Sequence, residues 1–342
     1  MEPAPSLRPV SGTATEILAL LREWDAAVDP EPLVVETSGS SGRSKRVVLS
    51  REAMRASALA TQERLGGPGQ WVLNLPPAYV AGLQVLYRCV VGGTEPVQFR
   101  HSFLSTRERV IGRSYVSLVP TQLVRELRED EGEWDVLRHF DAVLVGGGPL
   151  EPHVRAEAEA AGIRVVQTYG MSETCGGCVY DRRPLDGVEV RVDGDDRVML
   201  RGPVLFDGYQ DEPDRTATAM RDGWFVTDDL GRFRDGVLEI LGRTDDVIIS
   251  GGVKVPALAV ATALTAEPAV VGAEVVGVPD PEWGERVVAI VAVRDPISLA
   301  CIRDLVEPRT WAPRQLVVVP EIPLLPNGKP DRVELKRLAA DA

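Results

Sequence analysis

Residues 37–45 read Thr37-Ser38-Gly39-Ser40-Ser41-Gly42-Arg43-Ser44-Lys45, a run of small and hydroxylated residues closed by a lysine. Glycines let backbone N–H groups converge on an anion, hydroxyls add further donors, and Lys45 adds charge. The run is not a P-loop of the GxxxxGK[ST] type. Lys45 is followed by Arg46, and a strand rather than a helix comes next. Taken alone, the stretch is equally a phosphate cradle or a flexible Ser/Gly hairpin.

Outward from the loop, Leu33 to Glu36 and Arg46 to Leu49 read as strands, and Glu16 to Ala27 as a helix ended by Asp29-Pro30. Ser50 offers an N-cap to a helix running to about Leu65, stopped by Gly66-Gly67. Trp71 to Leu75 has the character of a buried strand, and Gly82 to Val91 reads as helical. Strand and helix then alternate: Tyr115 to Val119 with Thr121 to Glu129, Ala142 to Val145 with Glu151 to Ala161, and Arg164 to Gln167 as a further strand. Such alternation predicts α/β layers with much parallel pairing. From Gly187 to Ile240 short strands and turns take over, a β-rich subdomain. Beyond Gly242 to Asp246, a helix at Ala257 to Thr265, apolar strands at Glu274 to Val278 and Val287 to Val293, and a short helix after Ser298 suggest a small α+β domain. The expected division is a large domain over residues 1–242 and a small one over 243–342.

Composition bounds the function. The 342 residues, 44% hydrophobic, can bury a sizeable core. No apolar run approaches a membrane span. Met1 to Val10 carries prolines and no basic-then-apolar leader pattern, so the cytoplasm is expected. Four cysteines do not make a disulfide scaffold. A net charge of −13 argues against nucleic acid as a partner. The Arg-rich stretches Arg100 to Arg128 and Arg309 to Arg337 are either solvated faces or local positive potential for a nucleotide.

Further segments follow the loop in order: Thr168-Tyr169-Gly170-Met171-Ser172-Glu173-Thr174, then Gly223-Trp224-Phe225-Val226-Thr227-Asp228-Asp229-Leu230-Gly231, Gly242-Arg243-Thr244-Asp245-Asp246, Ser250-Gly251-Gly252, and Leu325-Pro326-Asn327-Gly328-Lys329. Each is weak alone. The set, from Leu33 to Leu335, resembles the ANL superfamily: acyl-CoA synthetases, peptide-synthetase adenylation domains and luciferases. The resemblance implies an α/β fold, with a large N-terminal domain and its β-rich subdomain hinged to a small α+β C-terminal domain. It implies ATP, Mg2+ and coenzyme A as reactants and cofactors beside a small-molecule carboxylic acid.

The same resemblance assigns roles. Thr37, Ser38, Gly39, Ser40, Ser41, Gly42 and Lys45 would hold the outer phosphates. Tyr169 and Gly170 would lie at the adenine, and Ser172, where most members carry Thr, would donate to the α-phosphate. Glu173 would hold Mg2+, a hard cation suited to a carboxylate and phosphate oxygens. Asp229 would accept the ribose hydroxyls. The usual Thr-Gly-Asp reads Thr227-Asp228-Asp229 here, and spacing to Leu230-Gly231 favours Asp229. Arg243 would reach ribose or phosphate. Lys329 would bridge the attacking carboxylate and the α-phosphate, where charge develops. Rotation about a hinge at Asp245 would exchange Lys329 for the Gly251-Gly252 turn, whose lack of side chains leaves room for the pantetheine arm. Trp283 is a structural turn or, as in members of the family, an aromatic near CoA. Cys175-Gly176-Gly177-Cys178 lacks the second pair of ligands zinc needs and reads as packing at the pocket floor. His101, His139 and His153 belong to no nucleophile constellation.

The acid is a finer inference. Asn74-Leu75-Pro76-Pro77-Ala78-Tyr79-Val80-Ala81-Gly82-Leu83-Gln84-Val85-Leu86-Tyr87-Arg88 resembles the o-succinylbenzoate–CoA ligases of menaquinone biosynthesis. In that subfamily an Arg at the position of Arg88 helps bind a dianionic acid, as do hydroxyls in a segment like Ser117 to Leu123, here Ser117 and Thr121. The turn carrying Gly147 and Gly148 lines the adenine side. An Arg in an apolar helix wants a carboxylate, which substrate or an internal acid can supply. Tyr79 stands where most relatives have His, and Thr168 replaces a Gly and narrows the pocket floor. Few residues precede Thr37, as in short forms of these ligases. An exposed edge or a homodimer contact can take the place of the missing N-terminal part. The competing readings are a ligase for another aryl or dicarboxylic acid, a non-catalytic nucleotide-binding module, and a domain that loads a carrier protein.

Overall fold

The computed structural model describes residues 9–37, 44–100, 102–128, 131–324 and 330–342. Residues 38–43 of the hydroxyl-rich loop, His101, and residues 325–329 with Lys329 lie outside the described residues. The chain divides into two compact units, one of residues 1–150, 157–191 and 199–226, the other of residues 151–156, 192–198 and 227–342.

The first unit opens with helix α1 (Ala14–Ala26), started by a capping box in which Thr13 and Glu16 satisfy each other's backbone N–H. Strands β1 (Leu33–Thr37) and β2 (Lys45–Leu49) form an antiparallel hairpin, register Leu33↔Leu49 to Thr37↔Lys45. The loop of residues 38–44 therefore springs from a paired Thr37 and Lys45. Helix α2 (Arg51–Leu65) begins at its Ser50 cap and ends at Gly66, where φ is +87°. A left-handed residue there costs only glycine nothing. In chain order then come β3 (Gln70–Leu73), α3 (Val80–Gly92), β4 (Val97–Gln98), α4 (Leu104–Arg107), β5 (Ser114–Leu118), α5 (Pro120–Arg128), α6 (Glu131–Leu137), β6 (Ala142–Val145), α7 (Pro152–Ala160, its first residues counted with the second unit), β7 (Val165–Met171), β8 (Gly176–Tyr180) and β9 (Arg183–Pro184).

Seven strands form one sheet in the order β4-β3-β5-β6-β7-β8-β9. Pairing is parallel from β4 to β7 and antiparallel from β7 to β9. Strand β6 is buried at all four residues, as a parallel strand covered on both faces must be. The carboxyl ends of β5, β6 and β7 lead into Val119-Pro120, Gly146 to Gly148 and Ser172-Glu173. Crevices beyond the carboxyl ends of parallel strands are where α/β sheets bind ligands. Helix α3 starts at Val80, two residues before the expected Gly82, because Tyr79 takes the N-cap conformation. Strand β7 runs on through Tyr169 and Gly170 to Met171, pairing with β8 (Thr168↔Tyr180, Tyr169↔Val179).

Strands β10 (Glu189–Val192), β11 (Arg197–Arg201), β13 (Met220–Arg221), β14 (Trp224–Arg234) and β15 (Val237–Arg243) make a five-stranded sheet. Between β11 and β13 lie β12 (Gly208–Tyr209), a third strand on the β1–β2 hairpin (Gly208↔Val48, Tyr209↔Val47), and helix α8 (Pro213–Ala219).

The second unit is built on β16 (Val247–Ser250), β17 (Val253–Pro256), α9 (Ala257–Thr265), β18 (Val270–Asp280), β19 (Gly284–Val293), α10 (Leu299–Asp304), β20 (Gln315–Val319) and α11 (Arg332–Asp341). Its long hairpin β18–β19 shows period-two burial on two faces. Val275, Val287, Ala289 and Val291 join one core with Val260 and Leu264 of α9. Val276, Val278, Val288 and Ile290 join a second with Leu335 and Ala339 of α11. Each fully buried Val, Leu or Ile contributes about 1.5–3 kcal/mol, so helices are held on both faces of this sheet.

Candidate active site

The candidate site is built around the turn after β7. Ser172–Thr174 is a single 3₁₀ turn. Thr174 locks it: its Oγ1 accepts from the Met171 N–H at 2.9 Å, and its hydroxyl lies 2.7 Å from the Gly176 carbonyl that accepts its proton. Glu173 is 5% exposed. The Tyr209 hydroxyl donates to Glu173 Oε1 at 2.7 Å, and Lys45 Nζ lies 3.7 Å from the same oxygen. The carboxylate thus stands at the Lys45 end of the hydroxyl-rich loop, one oxygen held by protein donors. Its second oxygen has no hydrogen bond among the described residues. A hard dication that takes one carboxylate, phosphate oxygens and several waters suits that donor set. Ser172, 8% exposed, adjoins Glu173.

Close backbone approach shapes the floor. A Cβ on Gly146 would lie 2.2 Å from Thr168 Oγ1, and one on Gly170 would lie 2.1 Å from the Gly176 carbonyl oxygen. Both positions therefore require glycine. Thr168 also donates to the Val145 carbonyl at 3.4 Å, so its side chain fills the space beside Gly146. Cys175 and Cys178 are fully buried. Burial pushes both thiols up, Cys178 to about 12. They pack around β8.

Arg88 sits on α3 and is 4% exposed. Its guanidinium stacks 4.8 Å from the Trp71 ring centroid, and Nη2 donates to the Tyr180 hydroxyl at 3.3 Å. Tyr180 in turn is 3.0 Å from Thr61 Oγ1. Nε of Arg88 is buried with no hydrogen-bond partner, and among the described residues no carboxylate pairs with Arg88. That is an expensive state for a cation unless an anion arrives. Ser117 is half-buried on β5, Thr121 is exposed on α5, and no hydrogen bond joins either to Arg88 among the described residues.

In the second unit, Asp229 and Arg243 are cross-strand partners on β14 and β15. Arg243 lies 3.6 Å from Asp229, 3.7 Å from Asp228 and 3.0 Å from Asp245. Burial opposes its charge, but the three carboxylates outweigh this and raise its pKa. The Asp229 side chain is 14% exposed against 49% for Asp228. Asp228 is also paired with Arg197 at 3.1 Å. Gly251 and Gly252 both have positive φ, +58° and +79°. The Gly251 N–H donates to the Trp283 carbonyl at 2.8 Å. Asp280 Oδ1 accepts from the Glu282 and Trp283 N–H groups at 2.9 and 3.0 Å, an Asx turn that presents the indole. The Arg314 guanidinium lies 3.2 Å from the Trp283 ring centroid.

Sequence reasoning missed Tyr209, the Trp71 and Tyr180 seat of Arg88, and Arg314. Tyr209 has no local signal, since its partner is 36 residues earlier in the chain.

A buried carboxylate held by Tyr209 and beside Lys45, at the carboxyl end of a strand in a largely parallel sheet, is an arrangement suited to an α/β protein that uses a nucleotide. Residues 26–206 match the AMP-binding enzyme family and residues 259–329 the AMP-binding enzyme C-terminal domain. The chain is 42% identical to a probable 2-succinylbenzoate–CoA ligase of Mycobacterium tuberculosis, over 99% of this chain and 92% of that one. Among solved structures it resembles o-succinylbenzoate CoA synthetase (MenE) from Bacillus subtilis in complex with the acyl-adenylate intermediate OSB-AMP. The TM-score is 0.73 with 27% identity, over 89% of this chain and 68% of that one. The same enzyme in complex with ATP and magnesium ion aligns with TM-score 0.71 and 27% identity, over 89% and 69%. This chain belongs to the AMP-binding enzyme family, with the ANL-type large domain and C-terminal domain. Among the described residues no helix is long and apolar enough to cross a membrane.

Proposed function

We propose that the protein is an AMP-forming carboxylic acid–CoA ligase acting on 2-succinylbenzoate, in menaquinone synthesis. The 42% identity to a relative of that name supports the reaction. The observation that carries the choice of acid is Arg88, a buried guanidinium with an orphaned Nε and no carboxylate partner among the described residues. A dianionic acid can spend one carboxylate on the reaction and offer the other to Arg88. Ser117, Thr121 and Thr168 are the hydroxyls assigned to the same acid.

The chemistry follows from a poor leaving group. A carboxylate oxygen attacks the α-phosphorus of ATP, pyrophosphate departs, and an acyl–AMP anhydride forms. The CoA thiol, giving up its proton, then attacks the acyl carbon and AMP leaves. Thr37, Lys45 and residues 38–42 grip the outer phosphates. Ser172 donates to the α-phosphate, Tyr169 and Gly170 flank the adenine with Gly147 and Gly148, and Asp229 with Arg243 holds the ribose. Glu173 would hold Mg2+, which when bound would supply positive charge to the phosphate oxygens. Lys329 supplies the cation between carboxylate and α-phosphate. Rotation of residues 243–342 about Asp245 then brings Gly251, Gly252 and Trp283 to CoA.

Pyrophosphate release with Mg-ATP tests this, comparing 2-succinylbenzoate, benzoate and malonate. The proposal expects strong preference for 2-succinylbenzoate. Release with none of the acids sinks the ligase reading, and preference for benzoate sinks the dianion.

A further inference from the structure

We infer that Tyr209 is a positioning residue that sets the Glu173 carboxylate for the metal. The inference rests on the reading of Glu173 as the metal-holding group. Tyr209 is 7% exposed and lies on β12, whose only other residue is Gly208. That strand is pinned to β2 by the pairs Gly208↔Val48 and Tyr209↔Val47, and the Gln210 N–H donates to the Arg46 carbonyl at 2.9 Å. The Phe206 N–H donates to the Glu173 carbonyl at 2.9 Å, so the same segment also grips the backbone of the Glu173 turn. Tyr209 thus links the Lys45 end of the hydroxyl-rich hairpin to the carboxylate.

The ring is fixed by what surrounds it. Phe206 meets it edge-on at 5.0 Å, and the Arg215 guanidinium and Lys45 Nζ lie 4.8 and 5.7 Å from its centroid. Thr216 Oγ1 accepts from the Tyr209 N–H at 2.8 Å. With the ring held by these contacts, its hydroxyl, 2.7 Å from Oε1, favours one carboxylate rotamer. Oε1 accepts from Tyr209 and lies near Lys45, so Oε2 would be the oxygen left to hold the metal. Groups that orient a metal-holding side chain typically change metal affinity by about 10- to 100-fold when removed.

The test is Tyr209→Phe, which keeps the ring and its cation contacts and removes only the hydroxyl. Mn2+ stands in for Mg2+, and its binding to the protein–ATP complex is followed by electron paramagnetic resonance. Metal-free ATP binding and thermal unfolding are measured alongside. The expected result is an Mn2+ affinity lower by at least tenfold, with metal-free ATP affinity within about twofold of the parent. Unchanged Mn2+ affinity overturns the inference, whether or not the melting temperature falls. Glu173→Gln keeps the two readings apart. If it leaves Mn2+ binding intact, the metal role of Glu173 fails. If it abolishes the tight site while Tyr209→Phe does not, only the role of Tyr209 fails. In the double variant, Tyr209→Phe should add nothing to Glu173→Gln, and full additivity counts against positioning.

Discussion

Replacing Arg88 by Met should cut use of 2-succinylbenzoate while leaving the ligand-free protein at least as stable. Arg88 is 4% exposed, its Nε is orphaned, and its contacts are one aromatic face and one phenol. Losing the Trp71 stack costs about 0.5–2 kcal/mol, and losing the bond to Tyr180 costs about 1 kcal/mol. Against this, relieving a buried cation without a carboxylate recovers several kcal/mol, and Met fills much of the same volume. When the dianion binds, the balance reverses, because its second carboxylate would enter a buried pocket with no cation. Breaking one side of a buried pair costs about 3–5 kcal/mol, which is about 150- to 5,000-fold in kcat/KM at 1.36 kcal/mol per factor of ten. Benzoate has no second carboxylate and should lose less than about tenfold. Pyrophosphate release gives kcat/KM for each acid, and calorimetry of the ligand-free protein gives the stability. Equal losses on both acids, or a marked fall in melting temperature, would refute the reasoning and return Arg88 to a structural role.

Other perturbations separate the remaining groups. Lys329→Ala should retain ATP binding by titration calorimetry yet lose adenylation by about 4 kcal/mol of barrier, seen as lost pyrophosphate release. Gly251→Ala must place a Cβ 2.8 Å from the Trp283 ring at φ +58°; it should slow thioester formation far more than adenylation, read by single-turnover assays with and without CoA. Glu274 is pushed up to about 7, by burial first, with Glu151 and Asp246 adding to it and Arg332 opposing. The folded state therefore binds the proton more tightly than the unfolded chain, so stability from this group is full below the ordinary carboxylate range and is lost as pH rises to about 7. Urea titrations should show a fall of up to about 3 kcal/mol across that window, and Glu274→Gln should flatten it.

The parts of the fold legible in sequence are those with local causes. Ser50 and Gly66 cap α2 at the expected ends, and α9 occupies Ala257–Thr265 as its apolar run predicts. Parallel strands followed from alternation. Two features depended on distant partners. Strand β7 runs past Gln167 because β8 pairs with it. Strand β20 carries an apolar Leu316 to Val319 run, but its parallel pairing with β19 (Val288↔Gln315 to Ala292↔Val319) is set by a partner distant in the chain. Within the candidate site, glycine, hydroxyl and carboxylate positions could be read because chemistry is written in residue type, and the register Asp229↔Arg243 brings that pair together across a hairpin. Tyr209 could not be read, because a two-residue strand has no period and its hydrogen bond to Glu173 is tertiary. The solitary charge of Arg88 was half legible. Sequence shows an Arg in an apolar helix, and only the packing around Trp71 and Tyr180 reveals that among the described residues no acid meets it.

The central claim is an acyl-adenylate, and rapid quench with mass spectrometry tests it most directly. Enzyme, Mg-ATP and 2-succinylbenzoate are mixed without CoA, and CoA is added in a second mix. The account predicts an enzyme-bound 2-succinylbenzoyl-AMP, formed with one pyrophosphate per active site and converted to the CoA thioester and AMP in the second mix. Absence of any adenylate, or cleavage of ATP to ADP and phosphate, would contradict it.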